Sequence, residues 1–255
     1  MGVIYMENYK FTSEHSNMIV NAIVEGYSDY IEHRKDRNDK MIISSAFAWT
    51  KGNFIESQIA ESCEASGFSY KMSKAGPTWN YLQFINDETK SLFMIKNASY
   101  FNPASFANSK LPVPGQKEGR ARTYMHELSE INRNIVFPVY EQLTIDNYQE
   151  KEPLSLSYIH ENEVNEQLDL FKQKYSSFHI LTYRLDDAHQ VSEVMHYLPN
   201  PVNNRAYPVE NLTDYISGAE LTNEEREILT SEGTDDLVDP EAFDLGILED
   251  EREDE

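Results

Sequence analysis

The sequence predicts an α+β protein: a mixed sheet with a helix-strand-hairpin-helix core, a second hairpin, and an acidic C-terminal tail expected to be disordered. Three patterns carry this. Apolar residues recur at helical spacing early in the chain, period-two alternation follows in several short segments, and the last 36 residues are too charged to bury themselves. With 255 residues, 40% hydrophobic and 12% aromatic, there is material for one large or two small domains. We read 1–150 as an α+β core, 151–219 as a helix and hairpin that complete the folded body, and 220–255 as the tail.

Thr12 and Ser13 can cap a helix over 12–33, which spaces Met18, Ile19, Ala22, Ile23 and Tyr30 near one face. The charged run Glu32 to Lys40 reads as a surface loop, and Met41 to Phe47 as an apolar, β-leaning stretch. A second helix covers Asn53 to Ser66, with Phe54, Ile55, Ile59, Ala60 and Cys63 along one side and Gly67 as its stop. Strands follow at Phe68 to Ser73, Thr78 to Asn86 and Ser91 to Tyr100, and Asp87-Glu88-Thr89-Lys90 turns the last two into a hairpin. Residues 102–122 read as a long basic loop: Pro103, Pro112 and Pro114 punctuate it, and Lys110, Lys117, Arg120 and Arg122 face Glu118 alone. Thr123 opens a helix to about Asn134, limited by Pro138. A strand at Leu154 to Ile159 and a helix at Glu161 to Tyr175 lead to the second hairpin, Phe178 to Leu185 and Val191 to Leu198 around Asp186-Asp187. Pro199, Pro201 and Pro208 are expected to end it before a short helix near Val209 to Ile216.

The formal charge of −22 is unevenly placed. Residues 220–255 hold 16 Asp and Glu against Arg226 and Arg252, so −14 lies in the tail and −8 in the preceding 219 residues. Such a tail keeps a protein in solution, steers a basic protein partner, or imitates a phosphate backbone. Leu237, Val238, Phe243, Leu245 and Leu248 among the acids favour a docking segment. Direct nucleic-acid binding is not expected of so acidic a chain. No apolar run approaches the roughly 20 residues of a membrane helix. The first residues lack a secretory pattern, and Met6 stands where myristoylation wants Ser or Thr, so a cytoplasmic location is expected. Cys63, the one cysteine, reads as a small core residue.

Phosphate-cradling and serine-nucleophile motifs do not occur, which removes the usual support for nucleotide and serine hydrolysis; neither cofactor nor metal is expected. His126 and Glu130 sit four apart on a helix but lack a third ligand at zinc spacing, and His179, His189 and His196 read as structural. Glu56 and Glu61 lie on the second helix, Pro77-Thr78 precedes the second strand, and Met94-Ile95-Lys96 lies on the third. Over residues 52–135 the order of elements resembles the core of the PD-(D/E)xK nuclease superfamily. That resemblance implies a metal-dependent nuclease in which Glu56 or Glu61 supplies the helical acid and Lys96 steadies water or phosphate. Two expected carboxylates are replaced by Thr78 and Met94, which cannot hold a hard divalent cation. A looser resemblance, in the texture of Ile42 to Trp49 and Phe178 to Tyr183, is to Gram-positive and phage proteins of toxin–antitoxin or phage-conflict settings.

Strand alternation puts Lys96 beside Leu92, Met94 and Ala98, where an ammonium must reach water or an acid. The 16 Tyr, 12 Phe and 2 Trp exceed what a core of this size uses, and Tyr70, Trp79 and Tyr81 cluster near the sheet. The expected function is therefore a protein-binding regulator or inhibitor rather than an enzyme, its partner carrying a basic surface. Its candidate contacts are Trp79, Tyr81, Lys110, Lys117, Arg120, Arg122, Leu237, Phe243 and Leu248; the alternative is the degenerate nuclease, with Glu56 and Lys96.

Overall fold

The computed structural model describes residues 6–63, 66–75, 79–110, 120–138, 154–160, 169–218, 220–230 and 243–248. Helix α1 (Ser13–Lys40) starts where Thr12 accepts a hydrogen bond from the His15 amide, and it buries Ile19, Val20, Ile23, Tyr27, Tyr30 and Ile31 at spacings of three and four. The charged run expected to be a loop continues this helix. Asp36 pairs with Lys40 one turn on, and Arg34 is buried beside the Tyr30 hydroxyl at 3.0 Å. Both contacts suit a helix and neither suits a loop. After a 3-10 turn at Ser45–Thr50, α2 (Lys51–Cys63) packs back on α1 through Ile55, Ile59, Ala60 and Cys63.

Strands β1 (Phe68–Ala75), β2 (Trp79–Asn86) and β3 (Ser91–Asn97) form an antiparallel meander. In the region expected to be one basic loop, two short strands, β4 (Asn108–Lys110) and β5 (Arg120–Arg122), pair with each other. Helix α3 (Tyr124–Ser129) runs into a 3-10 turn at Glu130–Asn132, so the helix is shorter than expected, and Thr123 makes no side-chain cap. Strand β6 (Leu154–His160) and a helical stretch, α4 (169–174), precede β7 (Ser177–Leu185) and β8 (Val191–Asn200). The expected helix near 209–216 is instead strand β9 (Arg205–Asn211) followed by a 3-10 turn. Pro208 is tolerated there because β9 is an edge strand, and the carbonyl of Pro208 still accepts from the Met6 amide. Pro199 lies in β8 beyond the last β7–β8 pair, Ile180 with Tyr197, where its missing N–H breaks no ladder bond.

The main sheet has the order β1-β2-β3-β7-β8-β9, antiparallel throughout except for the parallel pair β3–β7. Helices α1 and α2 cover one face over Phe84, Phe93, Leu181 and Tyr183. Helices α3 and α4 cover the other over Ile85, Leu92, Phe178 and Ile180. Of the acidic segment, α5 (Asn223–Thr230) buries Ile228; Leu221 before the helix and Leu229 within it pack against the α1 core, and Lys35 reaches Glu224 at 2.8 Å. Strand β10 (Phe243–Leu248) pairs in parallel with β6 in a second sheet of order β10-β6-β4-β5. The other residues of 220–255, apart from 220–222, lie outside the described set.

Two buried positions govern this packing. At Gly26 of α1 a Cβ would lie 2.8 Å from both Ile55 Cα and Phe54 O of α2, so the two helices meet backbone to backbone. Asn132 is fully buried: its amide donates to Phe178 O at 2.7 Å and Pro199 O at 2.8 Å, and its oxygen accepts from Phe178 N at 2.8 Å. Gly26→Ala is expected to lose about 1–3 kcal/mol in urea unfolding, despite the better helix propensity of Ala, because α2 must move. Asn132→Ala strands three backbone groups at once and should cost at least about 3 kcal/mol, with an unchanged denaturant slope.

Candidate functional site

Strands β2 and β3 pair only at Phe84↔Phe93, Ile85↔Leu92 and Asn86↔Ser91. Both continue beyond that point, β2 against β1 back to Trp79 and β3 against β7 as far as Asn97, so the sheet splits between them. The Leu82 amide, past the last pair, donates to Glu56 Oε2 at 2.9 Å. A carboxylate from α2 thus takes the place that a β3 carbonyl would have held.

On the α3 side of the split lies a polar group within an apolar layer. Gln83 is fully buried, its Nε2 is 3.4 Å from both the Tyr81 and Tyr124 hydroxyls, and its Oε1 has no partner. The Thr123 hydroxyl is buried without a partner as well. Lys96, half-buried, follows Met94 on this face and is in register with Thr182 of β7. Extending the lost β2–β3 register would set Gln83 opposite Met94 and Tyr81 opposite Lys96.

The two residues named for a nuclease therefore flank one split from opposite faces of the sheet. Glu56 is engaged by a backbone amide, Met94 packs into the apolar layer, and Glu61 is exposed. Pro77 and Thr78 lie outside the described residues. Among the described residues no three His, Cys, Asp or Glu side chains gather to hold a metal ion. His126 sits 3.4 Å from Glu127, while Glu130 pairs with Arg133 at 2.6 Å, and its carboxyl is held below the usual range although burial pushes it up. The expected His126–Glu130 geometry is thus used otherwise. Cys63 is buried, and desolvation pushes its thiol up to about 12.

Among the expected contacts, Tyr81 is half-buried against Tyr124, with ring centroids 6.4 Å apart. Trp79 lies at the start of β2, Lys110, Arg120 and Arg122 in β4 and β5, and Phe243 and Leu248 at the ends of β10; only their backbone is described. Lys110 and Arg120 are register partners across β4 and β5. Lys117 and Leu237 lie outside the described residues.

The surface feature that sequence reading missed is the elbow joining α1 to α2. Met41 to Phe47 forms no strand. Ile42 and Ile43 are 105% and 77% exposed, Met41 44%, and Trp49 in the following turn 46%. Four large apolar side chains within nine residues stand in solvent, beside Phe47, which is held between His33 and Arg37. The signal was present: Ile42 and Ile43 fall outside the apolar spacing of both flanking helices. Tyr70 and Met72, exposed on edge strand β1, are a smaller apolar pair. An open groove of about 830 Å³ runs between the 3-10 turn at Glu7–Tyr9 and Ile131, Ile135, Val136, Lys172 and Tyr175.

No helix among the described residues is long and apolar enough to cross a membrane. No family model, curated protein or solved structure matches this chain. Glu56→Ala should cost about 1–2 kcal/mol by freeing the Leu82 amide, whereas Glu56→Gln, which keeps an acceptor, should cost less. Chemical denaturation of the two variants checks the structural part of this carboxylate.

Proposed function

We propose that this chain is a cytoplasmic protein-binding regulator or inhibitor, arising from phage or mobile-element conflict, whose partner carries a basic surface. The observation that carries the reading is the elbow of Met41, Ile42, Ile43 and Trp49, an apolar knob of the kind that forms the desolvated centre of an interface. The net charge of −22, concentrated after residue 220, supports a basic partner and an encounter steered by charge, and suits mimicry of a nucleic-acid backbone. The resemblance to phage-conflict proteins rests on sequence texture and sets only the biological context.

The experiment is affinity capture from a host lysate by the wild-type chain and by Ile42→Asp/Ile43→Asp, followed by purification of the retained protein and measurement of its binding. Because both side chains stand in solvent, the double variant should keep the wild-type thermal melt within a few degrees. It should lose the partner by tenfold or more, through a faster off-rate, while raised salt should slow the on-rate of both chains. Equal binding by the two chains removes the elbow from the mechanism. Mg²⁺- or Mn²⁺-dependent cleavage of DNA or RNA that is lost in Lys96→Ala replaces this reading with the nuclease alternative.

A further inference from the structure

On the α1 face of the sheet a hydroxyl and two imidazoles form a buried chain. Ser177 Oγ is 2.7 Å from His179 Nε2, and His179 Nδ1 is 2.8 Å from His196 Nε2. The rings are 2% and 0% exposed, and His196 Nδ1, the far end of the hydrogen-bonded chain, has no partner among the described residues. One proton occupies the bond between the rings. If His179 donates it, His196 must bury an unsatisfied Nδ1–H; if His196 donates it, the far end is a bare lone pair, the less costly state. The neutral pair thus settles with His196 donating to His179 and His179 donating to Ser177. A further proton has no acceptor in this chain and creates a charge with no water around it. Burial alone pushes His179 down to about 3, and burial together with the neighbouring His179 pushes His196 well below its ordinary range.

The roof over the pair is Phe11. Its ring is stacked on His196 at 4.5 Å and lies 5.4 Å from His179. Phe11 lies near the end of a segment, residues 6–12, that contains the 3-10 turn at Glu7–Tyr9 and is held to edge strand β9 by the Met6 amide on Pro208 O at 3.1 Å and by Lys10 with Glu210 at 3.9 Å. On the sheet side the rings of Phe93 of β3 and Phe68 of β1 also pack against the roof, with centroids at 5.5 and 6.1 Å. The titratable groups around the strap include Glu7, Tyr9 and Lys10 of the segment, Glu14 and His15 of α1, Arg184 of β7 with Glu193 of β8, Tyr215 after β9, which acts on Lys10, and Glu210, the register partner of His196. Of these, Glu210 titrates in the opposite sense: burial raises it, so its protonation favours the closed arrangement, although Lys10 opposes the rise.

We propose that residues 6–12 are an acid-released strap: protonation of the His179–His196 pair displaces Phe11 and frees the segment from β9 while the six-stranded sheet stays folded. The sign follows from linkage. Imidazoles held low in the closed state and returned toward 6.5 in the open one bind more protons when open, so closure is complete above about pH 6.5 and weakens as pH falls toward 3. At pH 5 each imidazole that regains its ordinary affinity shifts the closed–open ratio by about thirtyfold.

The test is amide hydrogen exchange on the full chain between pH 7.5 and pH 5, expressed as protection factors so that the intrinsic pH dependence of exchange cancels. Protection at the Met6 amide is expected to fall at least about thirtyfold at pH 5, while amides of β7 stay protected. In His196→Leu the fall should shrink to what His179 alone supplies, less the protection that Glu210 protonation adds at low pH, which Glu210→Gln measures separately. Constant protection at Met6, simultaneous loss in strap and sheet, or an unaltered pH response in a folded His196→Leu each overturns the proposal. Should His196→Leu not fold, NMR titration of the imidazoles in the wild-type chain decides instead. A common midpoint for ring protonation and strap exchange supports the strap, and separate midpoints overturn it.

Discussion

The parallel pairing of β3 with β7 is the contact on which the rest of the molecule depends. It joins a meander built from the first hundred residues to one built from residues 177–211, and it runs the length of β3, from Ser91↔Ser177 to Asn97↔Tyr183. A parallel pair needs a long crossover, and here α3 and α4 lie on that path and cover the face they cross. Asn132 fixes the crossover to the sheet by bonding β7 and β8 at once. The residues beside it follow as consequences: Phe93 opposite His179 brings the histidine pair under Phe11, and Lys96 opposite Thr182 puts an ammonium at the split.

The split shows how one sheet serves two needs. Where β2 and β3 stay together, Phe84 stacks on Phe93 at 5.1 Å and both rings are fully buried. Where they part, backbone groups lose their ladder, and the protein answers with side chains: Glu56 takes the Leu82 amide, and Gln83 enters from the other face. An amide, two phenols and a lysine around an open edge form a hydrogen-bonding environment rather than a set of hard-metal ligands. The elbow is a separate surface beyond the C-terminal end of α1, where residues that connect it to α2 stand in solvent.

Much of this fold was legible. The face of α1 from Ile19 to Tyr30 and the α2 face from Ile55 to Cys63 follow from spacing because each helix buries one stripe, and both hairpins follow from extended segments around a polar turn, although β3 and β7 are buried on both faces. What failed were places where local composition and tertiary partner disagree. The run from Glu32 to Lys40 looks like a loop until Arg34 is seen beside Tyr30 and Asp36 beside Lys40. Pro208 argues against a strand until β9 proves to be an edge. Ile42 and Ile43 are strand-like residues with no sheet to join. Of the site, Glu56 was read on the second helix and Lys96 on the third strand, and they lie there, on opposite faces of the sheet. Gln83 and Thr123 gave no signal, since a buried polar residue in a strand or at a helix start looks like any other until its neighbours are known.

The distance along the chain between β3 and its partner also sets an order for events during synthesis. When Ser91, the first residue of β3, is added to the chain, its partner Ser177 is still 86 residues from being made. At about 5–20 residues per second the nascent chain spends several seconds with the outer edge of β3 unpaired and the side chain of Leu92 uncovered. A chaperone that shields apolar strands would find its substrate in that interval and lose it once β7 arrives, so a slow codon tract between residues 100 and 175 would lengthen the exposure, whereas one after β9 would not.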